Sequence, residues 1–267
     1  MLRYRYILKT DKKVLCAFTE KTVYTGAMRE NIYYHLIKRC RRLLWNKPQK
    51  LLLLPLIRKM WPYTLIGYVN LCQLHDATKS AVKNNIDGAF IEAGCWNGGA
   101  GVLMAYTAKK LGSPRATWLF DSFEGLPQFG KFDEEKARIK KRAIRHDIGE
   151  ATGIFKAEEE HVRHLSRKMG VTEQVEIVPG WFKDTVPKVK DRIGKIALLH
   201  LDADLYESTK FMLKELYDSV TPGGIVIIDD YGAWKGCNRA IYEFFVERGI
   251  DQPIYHYPYR GRAYFIK

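Results

Sequence analysis

The sequence predicts an α/β fold: a seven-stranded, mostly parallel sheet with an antiparallel C-terminal edge, preceded by a basic, partly helical arm. Three observations carry this prediction. From residue 61 on, apolar runs of strand length alternate with stretches of helical pattern, as in β-α units laid into a parallel sheet. A glycine-rich turn follows the first run, where a strand would feed a helix. The chain closes with "PIYHYPYRGRAYFIK", two strand-like runs joined by "YRGR", and a connection that short pairs strands antiparallel.

Taken in order, "GAFIEAG" (88–94) is the first strand and "GVLMAYTAKKLG" its helix. "ATWLFDS" (116–122) is the second strand, followed by a charged, helical stretch over 133–170. "EQVEIVP" (173–179) is the third and "GKIALLHLD" (194–202) the fourth, with a helix carrying Glu207 in its first turn behind it. "GGIVIIDD" (223–230) is the fifth, and "NRAIYEFFVERG" the helix that covers it. The terminal pair completes seven. No internal repeat interrupts this order.

Ahead of this body, residues 1–60 hold 15 Lys and Arg against 3 Asp and Glu, a net +12, while residues 61–267 hold 29 against 27. The chain therefore divides into a basic arm (1–60) and a nearly neutral domain (61–267). Such an arm suits a polyanionic partner: an anionic membrane surface, nucleic acid or an anionic glycan. Within it, "NIYYHLIKRCRRLLW" (31–45) has helical spacing with its basic residues largely off the apolar face. That helix can lie on anionic lipid or pack on the domain or a second subunit. Aromatic residues in the arm also suit a homo-oligomer.

Composition excludes several classes. The longest apolar run, "LLLLPLI" (51–57), is far short of the ~20 residues of a membrane-spanning helix. "MLRYRYILKT" has no apolar core or cleavage site of a signal peptide. Five cysteines without a CxxC pair argue against a zinc cluster or a disulfide framework. The expected location is the cytoplasm, with the arm free to meet the inner membrane face.

The turn "IEAGCWNGGAG" follows the first strand as Glu92-x-Gly94-x-x-x-Gly98. Glycines there let a ligand approach the backbone at a helix N-terminus. The pattern is neither GxGxxG nor a phosphate loop with Gly-Lys-Ser/Thr. Asp121 ends the second strand, where a carboxylate can accept both hydroxyls of a ribose or merely cap the next segment. With the pyrophosphate fingerprint missing, S-adenosylmethionine fits better than NAD. Glu92 could serve its positively charged end.

"FIEAGCWNGGAG", "DSFEGLP", "GWFKDTVP", "LDADLYEST" and "GGIVIIDDYG" resemble, in order and spacing, the macrocin O-methyltransferase family. The resemblance runs from about Trp61 to about Val246 and leaves residues 1–50 outside. It implies a Rossmann-like class I methyltransferase that uses S-adenosylmethionine to methylate sugar hydroxyls. It also implies that "WPYT" (61–64), with Tyr63 and Thr64, closes over the cofactor. Gly94, Gly98, Asp121 and Ser122 would line the cofactor site, and Trp181 would wall the adenine pocket or simply pack in the core.

Asp202 ends the fourth strand, and Asp229 and Asp230 end the fifth. Neighbouring strands would bring three carboxylates to one rim, and their repulsion calls for a proton or a cation. Hard oxygen ligands suit Mg²⁺, and the resemblance implies Mg²⁺ at these positions. Each could instead cap a segment or bond backbone amides. Asp204 is expected to shape the turn. A catalytic base is to be sought among His146, a metal-ligand aspartate such as Asp202 acting with water, and His200. His161 and His164 read as an exposed helix face. Tyr231 and Trp234 could line the acceptor site or anchor their loop.

Three other functions compete. "DAD" (202–204) is the DxD pattern of glycosyltransferases, but it leaves the glycine turn and Asp121 without a role. A nucleic-acid methyltransferase suits the arm, yet neither an Asn-Pro-Pro-Tyr motif nor a Pro-Cys nucleophile is present, so nucleic acid is not the expected partner. A non-catalytic, membrane-associated scaffold would not need converging carboxylates.

Overall fold

A computed structural model describes residues 52–133, 152–257 and 262–267. The amphipathic stretch 31–45 and His146 lie outside the described residues. The described chain opens with α1 (Leu54–Met60), a 3₁₀ turn (Trp61–Tyr63) and α2 (Tyr68–Lys83). It continues with β1 (Ala89–Ala93), α3 (Gly99–Lys110), β2 (Thr117–Asp121), α4 (Glu159–Met169), β3 (Val175–Pro179) and α5 (Phe182–Ile193). It ends with β4 (Ile196–Leu201), α6 (Tyr206–Leu216), β5 (Val220–Ile228), α7 (Lys235–Arg248), β6 (Tyr255–His256) and β7 (Ala263–Ile266). α1, which the sequence reading set in the arm, buries Ile57 and Met60. No helix among the described residues is long and apolar enough to cross a membrane.

The sheet order is β3-β2-β1-β4-β5-β7-β6. β1 to β5 run parallel, and β7 and β6 are antiparallel additions. The central strands are buried on both faces, "AFIEA" of β1 and "IALLHL" of β4 from end to end, which is why they read as apolar runs rather than alternating ones. Alternation still sorts the faces. Ile91, Ala93, Leu199 and Leu201 join a core with Val186 of α5, Met212 of α6 and Phe244 of α7. Phe90, Glu92, Leu198 and His200 therefore face the other layer, where α2, α3 and α4 pack together.

The helices obey local rules. α4 begins with Glu159 and Glu160 and ends with Arg167 and Lys168, each charge matched to the helix dipole. Gly170, left-handed at φ +67°, closes it. Strand order reverses between β1 and β4, and the crevice beyond their carboxyl ends is where this class of sheet binds ligands.

Candidate active site

A cavity of about 550 Å³ opens at that crevice. Its wall includes Thr64, Glu92, Gly94, Asp121, Ser122, Trp181, Asp202, Asp229 and Asp230. Two expected cofactor residues stand behind it. Tyr63 stacks on His164 with ring centroids 6.3 Å apart, and Gly98 packs against Val162 of α4. Gly94 has φ +88°, and a Cβ there would lie 1.9 Å from the carbonyl oxygen of Asp202. The glycine turn and the end of β4 thus pass at a separation that no side chain permits.

Asp121 organises the turn on the other side. Its Oδ2 accepts the Trp96 amide and its Oδ1 the Phe123 amide, both at 2.7 Å. Trp96 and Phe123 are both left-handed, at φ +49° and +61°, a costly backbone state that the shared carboxylate holds in place. Burial lifts the Asp121 carboxyl to about 6, and the amide bonds pull against that rise. Ser122 Oγ donates to Gly125 O and accepts the Glu124 amide, both at 3.2 Å.

Glu92, the penultimate residue of β1, is 1% exposed. Its Oε1 lies 3.2 Å from His200 Nδ1 on the paired strand. Its Oε2 faces the Gly101 amide without closing a hydrogen bond. Burial and the neighbouring Asp202 push its pKa well up. A buried carboxylate oxygen with an unspent acceptor suits a positively charged ligand group, so the site fits the sulfonium and ammonium of S-adenosylmethionine.

At the rim of β4 and β5, ligand oxygens of Asp202, Asp204 and Asp230 lie within 4.8 Å of one another. Asp204 sits in the left-handed region at φ +55°, and its amide donates to Asp230 Oδ2 at 3.1 Å. The Asp202 carboxyl is raised well above its usual range by burial and then by Asp230. Such a cluster has the chemistry of a hard divalent cation's donor set. The grouping differs from the expected one in a single member. Asp204 joins it, while Asp229, still in the cavity wall, turns Oδ1 onto the Arg262 guanidinium.

His200 does not serve as an open base. It is fully buried between Glu92 and Arg262, and burial, reinforced by Arg262, drives its pKa well down. His161 is more engaged than an exposed face suggests, since its Nδ1 lies 3.1 Å from Asn97 Oδ1. Tyr231 lies tilted against His256 and Trp234 stacks on Phe129, and neither is in the cavity wall. Residues the sequence reading missed include Phe155, Lys183, Phe211 and Gln128 in the wall. Asp133 is another: it accepts the Tyr206 amide at 2.9 Å and the Gly130 amide at 2.9 Å. Arg262 is a third, read in the sequence only as the last residue of the "YRGR" connection.

Residues 55–265 match the family model described as Macrocin-O-methyltransferase (TylF). A tetracenomycin 4'-O-methyltransferase of Streptomyces olivaceus, named for a dimethoxy-rhamnosyl substrate, is 34% identical over 204 residues, 74% of this chain and 75% of that one. The mycinamicin III 3''-O-methyltransferase of Micromonospora griseorubida is 32% identical over 72% of this chain and 74% of its own. Among solved structures, the O-methyltransferase NovP is 33% identical with a TM-score of 0.67, covering 77% of this chain and 82% of NovP.

Proposed function

Because the chain belongs to the macrocin O-methyltransferase family, we propose that it transfers a methyl group from S-adenosylmethionine to a sugar hydroxyl, on a glycosylated natural product or a glycan, with Mg²⁺ at the acidic rim. The observation that carries this reading is the cavity at the β1/β4 switch point. On one side it presents Glu92 with an unspent acceptor and Asp121, and on the other the Asp202, Asp204 and Asp230 cluster. The first pair suits a cationic nucleoside, and the second a hard cation beside a hydroxyl.

In the transfer, the bond from sulfonium sulfur to methyl carbon breaks as the acceptor oxygen bonds that carbon, and the hydroxyl proton leaves. Glu92 and Asp121 would orient the donor, and Thr64 and Trp181 would shelter it from water. Asp202, with its neighbours, would hold Mg²⁺, whose chemistry is to acidify and fix the acceptor hydroxyl. Holding two reactants in line supplies much of the acceleration. His146 is retained as the proposed proton acceptor.

Calorimetry with S-adenosylmethionine, with and without Mg²⁺, followed by methylation of a panel of neutral and anionic glycosides, tests the reading. The expected result is micromolar cofactor binding and a Mg²⁺-dependent mass gain of one methyl group on a glycoside. Lack of cofactor binding at millimolar concentration would sink it. The +12 charge of residues 1–60 supports a further reading, attachment to an anionic membrane surface. Flotation with phosphatidylglycerol vesicles, lost when residues 1–50 are removed, is its expected outcome.

A further inference from the structure

Glu92, His200, Arg262 and Asp229 form a continuous chain from β1 to the end of β5, buried except at Asp229, whose side chain is 17% exposed. Glu92 Oε1 lies 3.2 Å from His200 Nδ1, and His200 Nε2 lies 3.4 Å from Arg262 Nη2. The same Nη2 meets Asp229 Oδ1, and Arg262 Nη1 donates to the Asn70 carbonyl at 3.1 Å. His200 is fully buried, and Glu92 and Arg262 are each 1% exposed.

The direction of these bonds follows from what each group can do. A guanidinium only donates, so His200 Nε2 must accept. A neutral imidazole that accepts at Nε2 carries its proton on Nδ1. That proton points at Glu92 Oε1 and fixes the carboxylate. Oε2 is left as the oxygen with an acceptor to spare, in a side chain that lines the cavity. Without Arg262 the imidazole proton can move to Nε2, facing Asp229 Oδ1 at 3.6 Å. The Nδ1 lone pair would then face a carboxylate oxygen, and Glu92 would lose the bond that holds it.

We propose that Arg262 is a positioning residue for the methyl donor: acting through His200, it sets the tautomer that fixes Glu92 with Oε2 facing the donor's positive end. The proposal rests on the reading that Glu92 receives that end. Arg262 lies just ahead of β7, so the antiparallel edge of the sheet reaches the cofactor site through one side chain.

The test is a set of S-adenosylmethionine affinities on the full chain by calorimetry without added metal, together with long-range proton–nitrogen correlation spectra of the His200 ring. In the wild type the His200 ring is expected as the Nδ1–H tautomer. Arg262→Met should weaken donor binding tenfold or more and convert the ring to Nε2–H. Arg262→Lys keeps charge but not the fork, and should fall between. Its spectrum and affinity decide the matter if Arg262→Met does not fold. His200→Asn supplies an amide donor to Glu92 that needs no tautomer. In that background Arg262→Met should change donor affinity less than threefold, because the two effects share one path. An Nε2–H ring in the wild type, or equal losses from Arg262→Met in both backgrounds, would overturn the proposal. Unchanged donor binding in Glu92→Gln overturns the reading of Glu92 itself, and the Arg262 role with it.

Discussion

Asp121 and Trp96 stand 25 residues apart in sequence, and the Trp96 amide donates to Asp121 Oδ2 at 2.7 Å. One carboxylate thereby ties the glycine turn after β1 to the end of β2. Each of its oxygens already holds a backbone amide and keeps a second lone pair, which on the proposed function a ribose hydroxyl would take.

This pairing gives donor binding a pH dependence. The buried carboxyl titrates at about 6 instead of its ordinary 3.8. Ionised, it would accept from both ribose hydroxyls; protonated, it would spend one position as a donor. S-adenosylmethionine affinity should therefore rise as pH climbs through about 6 and level off above it. The stability of the ligand-free fold should move the other way, falling from pH 3.8 to about 6 as the unfolded chain ionises first. Calorimetry across pH 5–8 measures the affinity, and Asp121→Asn should flatten its profile.

Gly94→Ala should be severe. Its φ of +88° disfavours any Cβ, and that atom would overlap the Asp202 carbonyl oxygen at 1.9 Å. The expected cost is about 3 kcal/mol or more, read as a lowered midpoint in urea unfolding. Gly112→Ala, at φ +75° with open space around it, should cost only about 1 kcal/mol.

Asp230→Asn separates cation binding from folding. Asp230 raises the pKa of Asp202 by repulsion, so neutralising it should stabilise the ligand-free protein, by roughly 1 kcal/mol. It also removes a donor from the cluster with Asp202 and Asp204. The rise in Tm that Mg²⁺ or Mn²⁺ gives the wild type should shrink or vanish. Differential scanning calorimetry with and without the ion reads both effects. A cation-induced shift of wild-type size in the variant would contradict the assignment.

Asp133→Ala tests a cap supplied from a distance. α6 has no side-chain cap of its own at Leu205, and Asp133 instead accepts the Tyr206 amide in its first turn. Removing it should cost about 1–2 kcal/mol. Glu207 and Ser208, on the same turn of α6, line the cavity, so KM for the acceptor should rise more than KM for S-adenosylmethionine. Steady-state kinetics with each substrate varied in turn distinguish the two.

Much of this protein was legible along the chain. Strand runs buried on both faces, the turn Glu92-x-Gly94-x-x-x-Gly98 and aspartates at the strand ends are local patterns, and local sterics and burial suffice to read them. Strand boundaries shifted by only a residue or two, except that β5 begins at Val220, ahead of the glycines that had marked its start. Its pairing to β4 carries an irregularity between Ile196 and Leu198, which absorbs those extra residues.

Which side chains meet was decided by the fold alone. A carboxylate after an apolar strand announces a need for positive charge but not its source. For Asp229 the source is Arg262, held just ahead of the antiparallel strand β7 at the far end of the sequence. For Asp202 and Asp230 the third partner is Asp204, turned inward by a left-handed backbone. Sequence by itself determined the α/β fold, the cofactor crevice and the kind of groups that line it, because these follow from periodicity and strand order. Tertiary structure decided the pairings, because hydrogen bonds and ion pairs are set by ångström distances between segments that the chain places far apart.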